Sequence, residues 1–528
     1  MYGYKKAKWK LLAVVFACCA LPFPCFSVEF LHLVLTSDIH GWVSTKYIYP
    51  GKKAKGLLHI ADAIRKIRRQ HPHMILLDSG DLLSGSPLLF YYNHVQPDPL
   101  ADNIFFRLFN SLDYNAVSVG NHDLDIYRQL IRSYAPNTKY SMLAANLTQN
   151  GEMVLPPYIV LKKKQFTIAI LGLMTTGSLM WNRLAQDQTI MIESTEAALR
   201  RWLSTIREME KPDLTIGLFH IGLNPLRDDE NSKRKRIPPA NDLRTVLYGI
   251  ENLDIVVSGH DHRLHPYRSE QKIRYIHGIP VVSAGHSGEA LLKLRLHLVR
   301  SPGKWKIDQI ETHVIKANQA DHLADKYVEM LPDRYKMYIQ SELPWRIEKA
   351  NNRQASACFN QLLAKAHLHN GIHGTLFPKI RVRGIRLRVG NRIRRADLFR
   401  WIRYHNTPIT VRMNRRDIHL LRHPSAEYGK RRIASNRQLF FWSESGLGSD
   451  NQSDHYWWPD AEIFDRRFLL KVSNYHAYGG GGLMSALFFE KEDFKEDSPR
   501  FLKENLFQYL NDTHETLPST CFFLKPAR

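Results

Sequence analysis

The sequence predicts an α/β fold in which a large first domain is followed by a smaller α+β domain. The chain has 528 residues, 44% of them hydrophobic, which is too long for one ordinary core and sufficiently apolar for two. Short apolar segments alternate with amphipathic ones from Phe30 to about Lys316, and the composition changes near Trp345. The alternation is typical of a layered α/β domain, and the change in composition marks the second domain.

Eight near-continuous runs of β-forming residues predict strands that are covered on both faces. They are Phe30–Thr36, Met74–Leu77, Ala116–Val119, Ser141–Ala145, Phe166–Leu173, Leu214–Phe219, Ile255–Val257 and Ile279–Ser283. Apolar stripes predict amphipathic helices over Leu57–Ile67 and Ala197–Ile206. The charged stretch from Asp321 to about Tyr338 predicts a helix that links the two domains.

The N-terminus has the features of a secretory signal. Four lysines between Lys5 and Lys10 precede an apolar run from Leu11 to Ala20, which is shorter than the roughly 20 residues of a membrane-spanning helix. We predict a signal peptide cut after Ser27 and a periplasmic or secreted mature protein with no integral membrane segment. In the alternative, a lipoprotein-like cut leaves a lipid anchor at Cys18. The predicted domains are a signal peptide (1–27), a first domain (28–316), a linking helix (317–345) and a second domain (346–528).

The second domain carries most of the positive charge. The whole chain has 74 Lys and Arg against 51 Asp and Glu, a net charge of +23. Residues 372–437 alone contain 18 Lys and Arg against three acidic residues. In Ile380–Val389, arginines alternate with apolar residues, so one face of a strand there would be lined with arginine. Such a face would attract an anionic ligand. The alternating pattern is explained equally well by a strand whose arginine face is exposed to solvent and binds nothing.

Five short motifs directly follow predicted strands: Asp38-Ile39-His40-Gly41, Gly80-Asp81, Gly120-Asn121-His122-Asp123, His220-Ile221-Gly222 and Gly259-His260-Asp261-His262. Because ligand sites in open α/β sheets form beyond the carboxyl ends of strands, we expect these loops to meet in one crevice. Imidazole, carboxylate and amide donors without thiolates suit divalent ions such as Zn²⁺ or Mn²⁺. The motifs therefore predict two divalent metal ions about 3.5–4 Å apart that share one carboxylate, which we assign to Asp81.

Other residues near the motifs receive a structural interpretation. The flanking glycines allow the backbone to turn sharply at the strand ends, and they are Gly41, Gly80, Gly120, Gly222 and Gly259. A lone histidine beside a strand is more often structural than a ligand. We apply that interpretation to His32, His59, His286 and His476.

In their order, the five motifs resemble those of the calcineurin-type metallophosphoesterases, and within them the 5′-nucleotidase/UDP-sugar hydrolase family. That family carries Asp-x-His, Gly-Asp, Gly-Asn-His, His-x-Gly and Gly-His-x-His. The segments Gly80–Pro87 (GDLLSGSP), Asp113–Asp125 (DYNAVSVGNHDLD) and Ala144-Ala145-Asn146 extend the resemblance, which runs through most of the chain. It implies a four-layer α/β/β/α first domain and a smaller α+β C-terminal domain that binds the rest of the substrate.

The resemblance also implies a role for each residue of the site. It implies one metal ion held by Asp38, His40, Asp81 and His262, and a second held by Asp81, Asn121, His220 and His260. His122 would stabilise the phosphoryl group in the transition state, and Asp125 would orient His122. Asp123 replaces the Glu that the family usually has, at a position not expected to bind metal.

The resemblance is weaker in the C-terminal domain. Phe441 and Tyr475 fall where the family stacks a nucleobase between two aromatic rings, although packing explains each ring equally well. Gly481 replaces the acidic residue that would hold the sugar hydroxyls. The segment Asn370-Gly371-Ile372-His373 replaces one that leads to a phosphate-binding arginine. Hydrolysis of a phosphoester is therefore better supported than a nucleotide substrate.

The leading hypothesis is an exported dinuclear-metal phosphoesterase that converts 5′-nucleotides to nucleoside and phosphate. The alternatives are hydrolysis of UDP-sugars or cyclic nucleotides, and a polyanion-binding surface protein that uses the arginine-rich segment. The sequence contains no base-reading module, so we expect no sequence-specific nucleic acid partner. After cleavage at Ser27 only Cys358 and Cys521 remain, either as one disulfide or as two thiols.

Overall fold

The computed structural model describes residues 29–49, 52–98, 100, 102–126, 135–178, 189–223, 243–268, 272–301, 304–320, 322–348, 352–367, 374–378, 392–402, 408–413, 439–442, 468–473, 494–496, 502–512 and 524–526. Several predicted features lie outside these residues: the signal peptide with Cys18, the arginine-rich strand Ile380–Val389, Tyr475, His476, Gly481 and Cys521. They remain predictions.

The first domain contains sixteen strands within the described part of the chain. In order they are β1 (Glu29–Thr36), β2 (Ile75–Asp78), β3 (Ala116–Ser118), β4 (Ser141–Leu143), β5 (Leu147–Gln149), β6 (Glu152–Met153), β7 (Tyr158–Lys163), β8 (Phe166–Met174), β9 (Ile190–Ile192), β10 (Leu214–His220), β11 (Ile255–Ser258), β12 (Leu264–His265), β13 (Arg274–Ile276), β14 (Ile279–Ala284), β15 (Ala290–Ser301) and β16 (Lys304–Lys316). All eight predicted strands are present, with ends shifted by at most two residues.

Most of these strands form two sheets. One sheet has the order β16-β15-β1-β2-β3-β4, and the other has the order β12-β14-β11-β10-β8-β7, with β13 paired to β14. Strands β1 to β4 run parallel, as do β8, β10, β11 and β14. The carboxyl ends of these parallel strands therefore share one edge in each sheet. A separate small sheet has the order β6-β5-β9.

Five helices in the described residues cover the outer faces of the two sheets. They are α1 (Leu58–Gln70), α2 (Pro87–His94), α3 (Ile104–Asn110), α4 (Thr195–Met209) and α5 (Leu243–Val246). Helices α1, α2 and α3 share a core with the outer face of the first sheet, and α4 and α5 share one with the second. Alternate residues such as Leu33 of β1 and Ile216 of β10 form a third core between the sheets. The predicted four-layer α/β/β/α architecture is confirmed.

The predicted linking helix is two helices, α6 (His322–Met330) and α7 (Asp333–Gln340). The break falls at Pro332, which caps the start of α7 because proline has no N–H to donate inside a helix. Both helices pack on the first domain through Tyr327, Tyr335 and Ile339. The next strand begins at Glu342, inside the range predicted for the linker.

The C-terminal part combines helices with two antiparallel or mixed sheets. Its elements are β17 (Glu342–Ile347), α8 (Asn352–Lys365), β18 (Gly374–Pro378), β19 (Arg392–Arg394), α9 (Arg395–Trp401), β20 (Pro408–Met413), β21 (Leu439–Trp442), β22 (Phe468–Ser473), β23 (Phe494–Glu496), α10 (Leu502–Asp512) and β24 (Leu524–Pro526). The sheet orders are β19-β17-β24 and β21-β18-β22-β20-β23. This part is the predicted α+β domain.

Two further observations bear on the sequence predictions. Cys358 lies fully buried in the core of the C-terminal part and is disulfide-bonded. Among the described residues, none of the helices combines the length and the apolarity needed to cross a bilayer.

Candidate metal centre

The predicted ligand residues occupy loops that leave parallel strands at one edge. Asp38 and His40 follow β1, Asp81 follows β2, and Asn121 follows β3. From the second sheet, His220 ends β10, while His260 and His262 follow β11. Backbone bonds tie the loops together: Asp38 N donates to the Gly80 carbonyl at 2.9 Å, and His40 N donates to the Asp81 carbonyl at 2.8 Å. Between the sheets, His260 N donates to the Asp38 carboxylate at 3.2 Å, so the two parallel-strand edges meet in one crevice.

Most of these residues adopt a backbone conformation that side chains other than glycine rarely take. The φ angles are 49° at Asp38, 51° at His40, 56° at Asp81, 79° at His260 and 58° at His262. Each left-handed residue costs of order 1 kcal/mol, and such strain concentrates at functional sites, where it directs side chains to one point. Five of the seven predicted ligands carry it.

The first group of donors is formed by Asp38, His40, Asp81 and His262, whose ligand atoms lie within 4.8 Å of one another. His40 Nδ1 donates to the Ser84 carbonyl at 2.8 Å, so in the neutral ring Nε2 presents only a lone pair. That Nε2 lies 3.1 Å from His262 Nε2, and His262 Nε2 lies 3.4 Å from Asp38 Oδ1. Two imidazole nitrogens and two carboxylates facing one point match a divalent cation.

The second group is formed by Asp81, His220 and His260, whose ligand atoms also lie within 4.8 Å of one another. His220 Nδ1 donates to the Ser79 carbonyl at 2.8 Å, which again directs Nε2 into the site. Asp81 Oδ2 is 3.3 Å and Asn121 Oδ1 is 3.2 Å from His220 Nε2. Asp81 belongs to both groups, so its carboxylate is the one that two ions would share.

The pKa values of the cluster without metal favour the binding of a cation. Burial lowers the pKa of His40 to about 3, and it also lowers the pKa of His260 and His262. These rings are neutral and keep a lone pair for a metal. Burial raises the pKa of Asp38 to about 7 against the opposing charge of His220.

Asp81 and His220 form an ion pair at the centre of the cluster. Burial by itself would raise the pKa of Asp81, but the charge of His220 and its hydrogen bond to Asp81 outweigh burial and hold that pKa well below its ordinary value. Burial disfavours the charged form of His220, yet Asp81 raises the pKa of His220 to about 10. The donors fit a pair of divalent ions, which would take the place of the His220 proton as the partner of Asp81.

Asp123, to which the sequence assigned no role, organises the centre. Its Oδ1 accepts the backbone N–H groups of Leu82 at 2.8 Å and Leu83 at 2.7 Å, and its Oδ2 accepts those of Asp81 at 3.0 Å and Gly120 at 2.8 Å. A carboxylate that accepts four backbone donors fixes the Asp81 loop against the Asn121 loop. The available signal was the acidic residue that ends the motif Gly120–Asp123.

His286, interpreted as structural, lines the cavity beside the centre. Its ring stacks on that of His262 with a centroid distance of 5.1 Å and an interplanar angle of 28°. Its Nε2 lies 3.8 Å from Glu289 Oε2. His59, in contrast, is buried between Ser44 and the Asn318 carbonyl, and His32 stacks on His71 far along β1.

The structure describes the remaining predicted site residues to different extents, from the full side chain to the backbone alone. His122 is partly exposed beside the cluster, with its ring 5.4 Å from that of His40, and its backbone N–H donates to Asp81 Oδ1 at 2.7 Å. Asp125 lies in a short 3₁₀ helix, Asp123–Ile126, and its side chain is outside the described part. Phe441 pairs with Leu376 in the C-terminal sheet, and again only its backbone is described.

A cavity of about 390 Å³ opens directly from the first donor group. His40, His122 and His262 line it, and Phe399 of α9 contributes to its wall from the C-terminal part. Phe399 also packs edge-on against Phe90 of α2 at 5.2 Å. Both parts of the chain therefore line the cavity beside the donor groups.

Comparison with known proteins agrees with this geometry. Residues 31–264 match the model of the calcineurin-like phosphoesterase family. The chain is 25% identical over 300 residues to the trifunctional nucleotide phosphoesterase protein YfkN of Bacillus subtilis, and the match covers 52% of this chain and 20% of that protein. It is 22% identical over 299 residues to the 2′,3′-cyclic-nucleotide 2′-phosphodiesterase/3′-nucleotidase of Yersinia enterocolitica, covering 53% of this chain and 44% of that protein.

A solved structure extends the likeness to the C-terminal part. The 5′-nucleotidase precursor of Thermus thermophilus superposes with a TM-score of 0.62 at 16% identity, over 92% of this chain and 96% of that chain. At this identity the likeness shows the fold. The chain spans less than half the length of the two curated relatives that it matches.

Fold and donor cluster together define a metallophosphoesterase domain, four layers deep, with its site at the carboxyl ends of both sheets. The first domain is therefore similar to the calcineurin-like phosphoesterases, whose family model its residues 31–264 match.

Proposed function

We propose that this protein is a metal-dependent phosphoester hydrolase that is exported and acts on nucleotides, with 5′-nucleotides as the leading substrates. The observation that carries the proposal is the pair of donor groups that share Asp81. A single shared carboxylate between two sets of imidazole and oxygen donors is the arrangement that a two-metal hydrolase requires.

Each residue of the cluster receives a role in this proposal. Asp38, His40, Asp81 and His262 would hold one divalent ion, and Asp81, Asn121, His220 and His260 would hold the other. When bound, such a pair supplies a nucleophile from water at neutral pH and polarises the phosphoryl oxygens; Zn²⁺ and Mn²⁺ both suit the donors. The carbonyls of Ser84 and Ser79 orient the rings of His40 and His220, and Asp123 fixes the loop that carries Asp81.

The proposed catalytic residues outside the metal ligands are His122 and Asp125. The His122 ring lines the cavity beside the donor groups, where it can donate to a phosphoryl oxygen as negative charge develops in the transition state. Its backbone N–H holds Asp81 Oδ1, so the same residue couples the shared carboxylate to the reacting group. Asp125, in the next helical turn, would orient the His122 ring.

The substrate class rests on the relatives and on the cavity. The two curated relatives are named for nucleotide phosphoester hydrolysis, and the cavity has the size of a small-molecule site. Phe441 and Tyr475 are the proposed stacking rings for the base. Gly481 departs from the family at the sugar contact, which keeps UDP-sugars and cyclic nucleotides as alternative substrates. Export is proposed from the N-terminal signal.

The test is phosphate release from a panel of 5′-nucleotides, cyclic nucleotides and p-nitrophenyl phosphate by protein supplied with Mn²⁺ or Zn²⁺. Asp81→Ala should lose bound metal and at least a thousandfold in kcat/KM, because both donor groups lose a ligand. Asp62→Ala is the matched control, since Asp62 is an exposed acid of α1 whose side chain is 72% accessible. Full activity in Asp81→Ala would remove the proposed centre.

A further inference from the structure

A basic rim lines the same cavity as the metal donors His40 and His262. We define this rim as Lys52 and Lys53, which line the cavity with the aromatic rings of Trp42 and Tyr49. Both lysines are exposed at the surface. Among the described residues, no carboxylate lines the cavity, so its charged side chains other than histidine are all cations.

The loop that carries the rim is held in place by hydrogen bonds between its described parts, residues 37–49 and 52–57. It connects β1 to α1, and its two limbs are paired: Leu57 N donates to the Trp42 carbonyl at 2.7 Å, and Thr45 N donates to the Lys55 carbonyl at 2.8 Å. The ring of Trp42 packs against that of Tyr49 at 5.9 Å. The rim therefore has a defined position relative to His40, which lies in the same loop after β1.

Lys55, which also lies in this loop and lines the cavity, differs from the two lysines of the rim. Lys55 Nζ lies 2.6 Å from Glu289 Oε2, so its charge is neutralised within the protein. Lys52 Nζ lies 5.2 Å from the centroid of the Tyr49 ring. Within the described ranges neither Lys52 nor Lys53 has a carboxylate in ion-pair distance. Two adjacent uncompensated cations beside a cavity raise the local concentration of anions there.

We propose that the rim is a subsite for a second anionic group of the substrate, carried on the leaving group. The inference rests on the proposed function, because the reacting phosphoryl group must lie at the donor groups with His40, His122 and His262. The rim lines the same cavity but contributes no metal donor, so it borders the space left for the part of the substrate that departs. The preferred substrate class is therefore a phosphoester whose leaving group bears its own phosphate, with Trp42 and Tyr49 offering apolar surface to its ring.

The experiment compares AMP with adenosine 3′,5′-bisphosphate. Whichever phosphate of the bisphosphate is cleaved, the other remains on the leaving group, whereas AMP leaves a neutral nucleoside. The wild-type protein should favour the bisphosphate by about tenfold in kcat/KM, mainly through KM, since a charge-assisted contact is worth roughly that factor. The double variant Lys52→Gln/Lys53→Gln should lose this preference and keep the kcat for AMP.

The matched control is Lys66→Gln/Lys162→Gln, which removes the same charge from two exposed lysines on α1 and β7. It should keep the preference. If both nucleotides are hydrolysed with equal kcat/KM, or if the rim and control variants behave alike, the inference is overturned and the proposed function stands. If no phosphoester is hydrolysed, the proposed function fails. The inference is then tested by titration calorimetry, which compares the binding of AMP and of the bisphosphate to metal-loaded protein. Tighter binding of the bisphosphate that is lost only in the rim variant supports it, and equal binding overturns it.

Discussion

At the scale of single residues, the Asp123 carboxylate determines where Asp81 lies. Each of its two oxygens accepts two backbone N–H groups, and the four donors are Asp81, Leu82, Leu83 and Gly120. Burial raises the pKa of Asp123 to about 7, with the nearby charge of Asp81 adding to the effect. Such a group is costly to bury, and its four donors offset that cost only in this arrangement of loops.

We predict that Asp123→Asn weakens metal binding by tenfold to a hundredfold, the range typical for residues that support metal ligands. In either orientation the amide NH₂ faces two backbone donors and cannot accept from them. The unfolding free energy should also fall by about 1–3 kcal/mol, because buried N–H groups lose their partners. Metal titration calorimetry and urea unfolding measure the two effects. Unchanged metal affinity in a folded Asp123→Asn protein would contradict the role assigned to Asp123.

The glycines beside the ligands act in two different ways. Gly41 and Gly80 have φ angles of 65° and 104°, so there the predicted freedom to turn is used. Gly120, Gly222 and Gly259 are not among the residues with positive φ. A Cβ atom at Gly120 would lie 2.1 Å from Asp81 Oδ1, so that glycine provides space for the shared carboxylate.

Gly120→Ala should therefore displace Asp81 and abolish metal binding, while Gly222→Ala should retain it. The nearest atom to a Cβ at Gly222 is the Asp261 Cβ at 3.2 Å, a contact that a small shift relieves. Metal content by elemental analysis after dialysis distinguishes the two variants. Equal metal content in both would show that the space beside Asp81 is unimportant.

The residues that converge on the candidate metal centre could be predicted from sequence, whereas the residues that support them could not. Each predicted ligand ends a strand or lies in the loop after it, so a short motif and one strand suffice to find it. Asp123 and His286 contact residues of other loops that meet them only in the folded chain, so their own segments do not identify those partners. Likewise, a glycine that turns the chain and one that makes room look identical in sequence.

At the scale of elements, the predicted strands are those buried on both faces, whose runs are continuously apolar. The long hairpin of β15 and β16 was not predicted as two strands of 12 and 13 residues. In β16, apolar residues alternate with Lys, Asp, Glu and Gln because one face is exposed, so no apolar run marks it. The break between α6 and α7 follows from Pro332, a signal that the sequence did contain.

Helix α9 connects the C-terminal part to the linking helices through Arg395. Its guanidinium pairs with Glu504 of α10 at 2.5 Å and lies over the rings of Tyr338, at 4.4 Å, and Phe507, at 3.8 Å. Both charged side chains are largely buried, with 15% and 21% of their surface exposed. Removing one partner would leave the other charge without compensation.

Arg395→Met should lower the unfolding free energy by about 2–4 kcal/mol, because Glu504 stays partly buried and unpaired. Arg392→Met is the matched control: its pair with Glu342 spans 3.6 Å between side chains that are 45% and 49% exposed. Exposed pairs of that kind contribute roughly 0–1 kcal/mol. Urea unfolding followed by tryptophan fluorescence measures both variants. A loss in Arg392→Met as large as in Arg395→Met would contradict a special role for the Arg395 cluster.

At the scale of the whole molecule, metal binding, protonation and stability are linked. Without metal, the pKa of Asp38 is about 7 and that of His220 is about 10, both above their ordinary values of 3.8 and 6.5. In this state the cluster binds protons that a metal ion must displace. Protons and metal ions therefore compete for the same carboxylate and imidazole groups.

The sign of the resulting pH dependence follows from these two shifts. Asp38 holds its proton more tightly when folded, so its contribution to the stability of the metal-free protein is lost as pH rises from about 4 to 7. The raised pKa of His220 stabilises the metal-free fold below about pH 6.5, and that contribution is lost as pH rises toward 10. Metal affinity changes in the opposite direction, because fewer protons must leave as pH rises.

The difference in Tm between protein saturated with Mn²⁺ and protein in chelator should therefore widen from pH 5.5 to pH 8. Binding at a hundred times Kd stabilises the fold by about 2.7 kcal/mol, so the shift is measurable by scanning calorimetry. Asp81→Ala, which lacks the shared ligand, should show no difference at either pH. A Tm difference that narrows as pH rises would mean that the metal ions do not compete with the protons on Asp38 and His220. The assignment of these two residues as ligands would then be wrong.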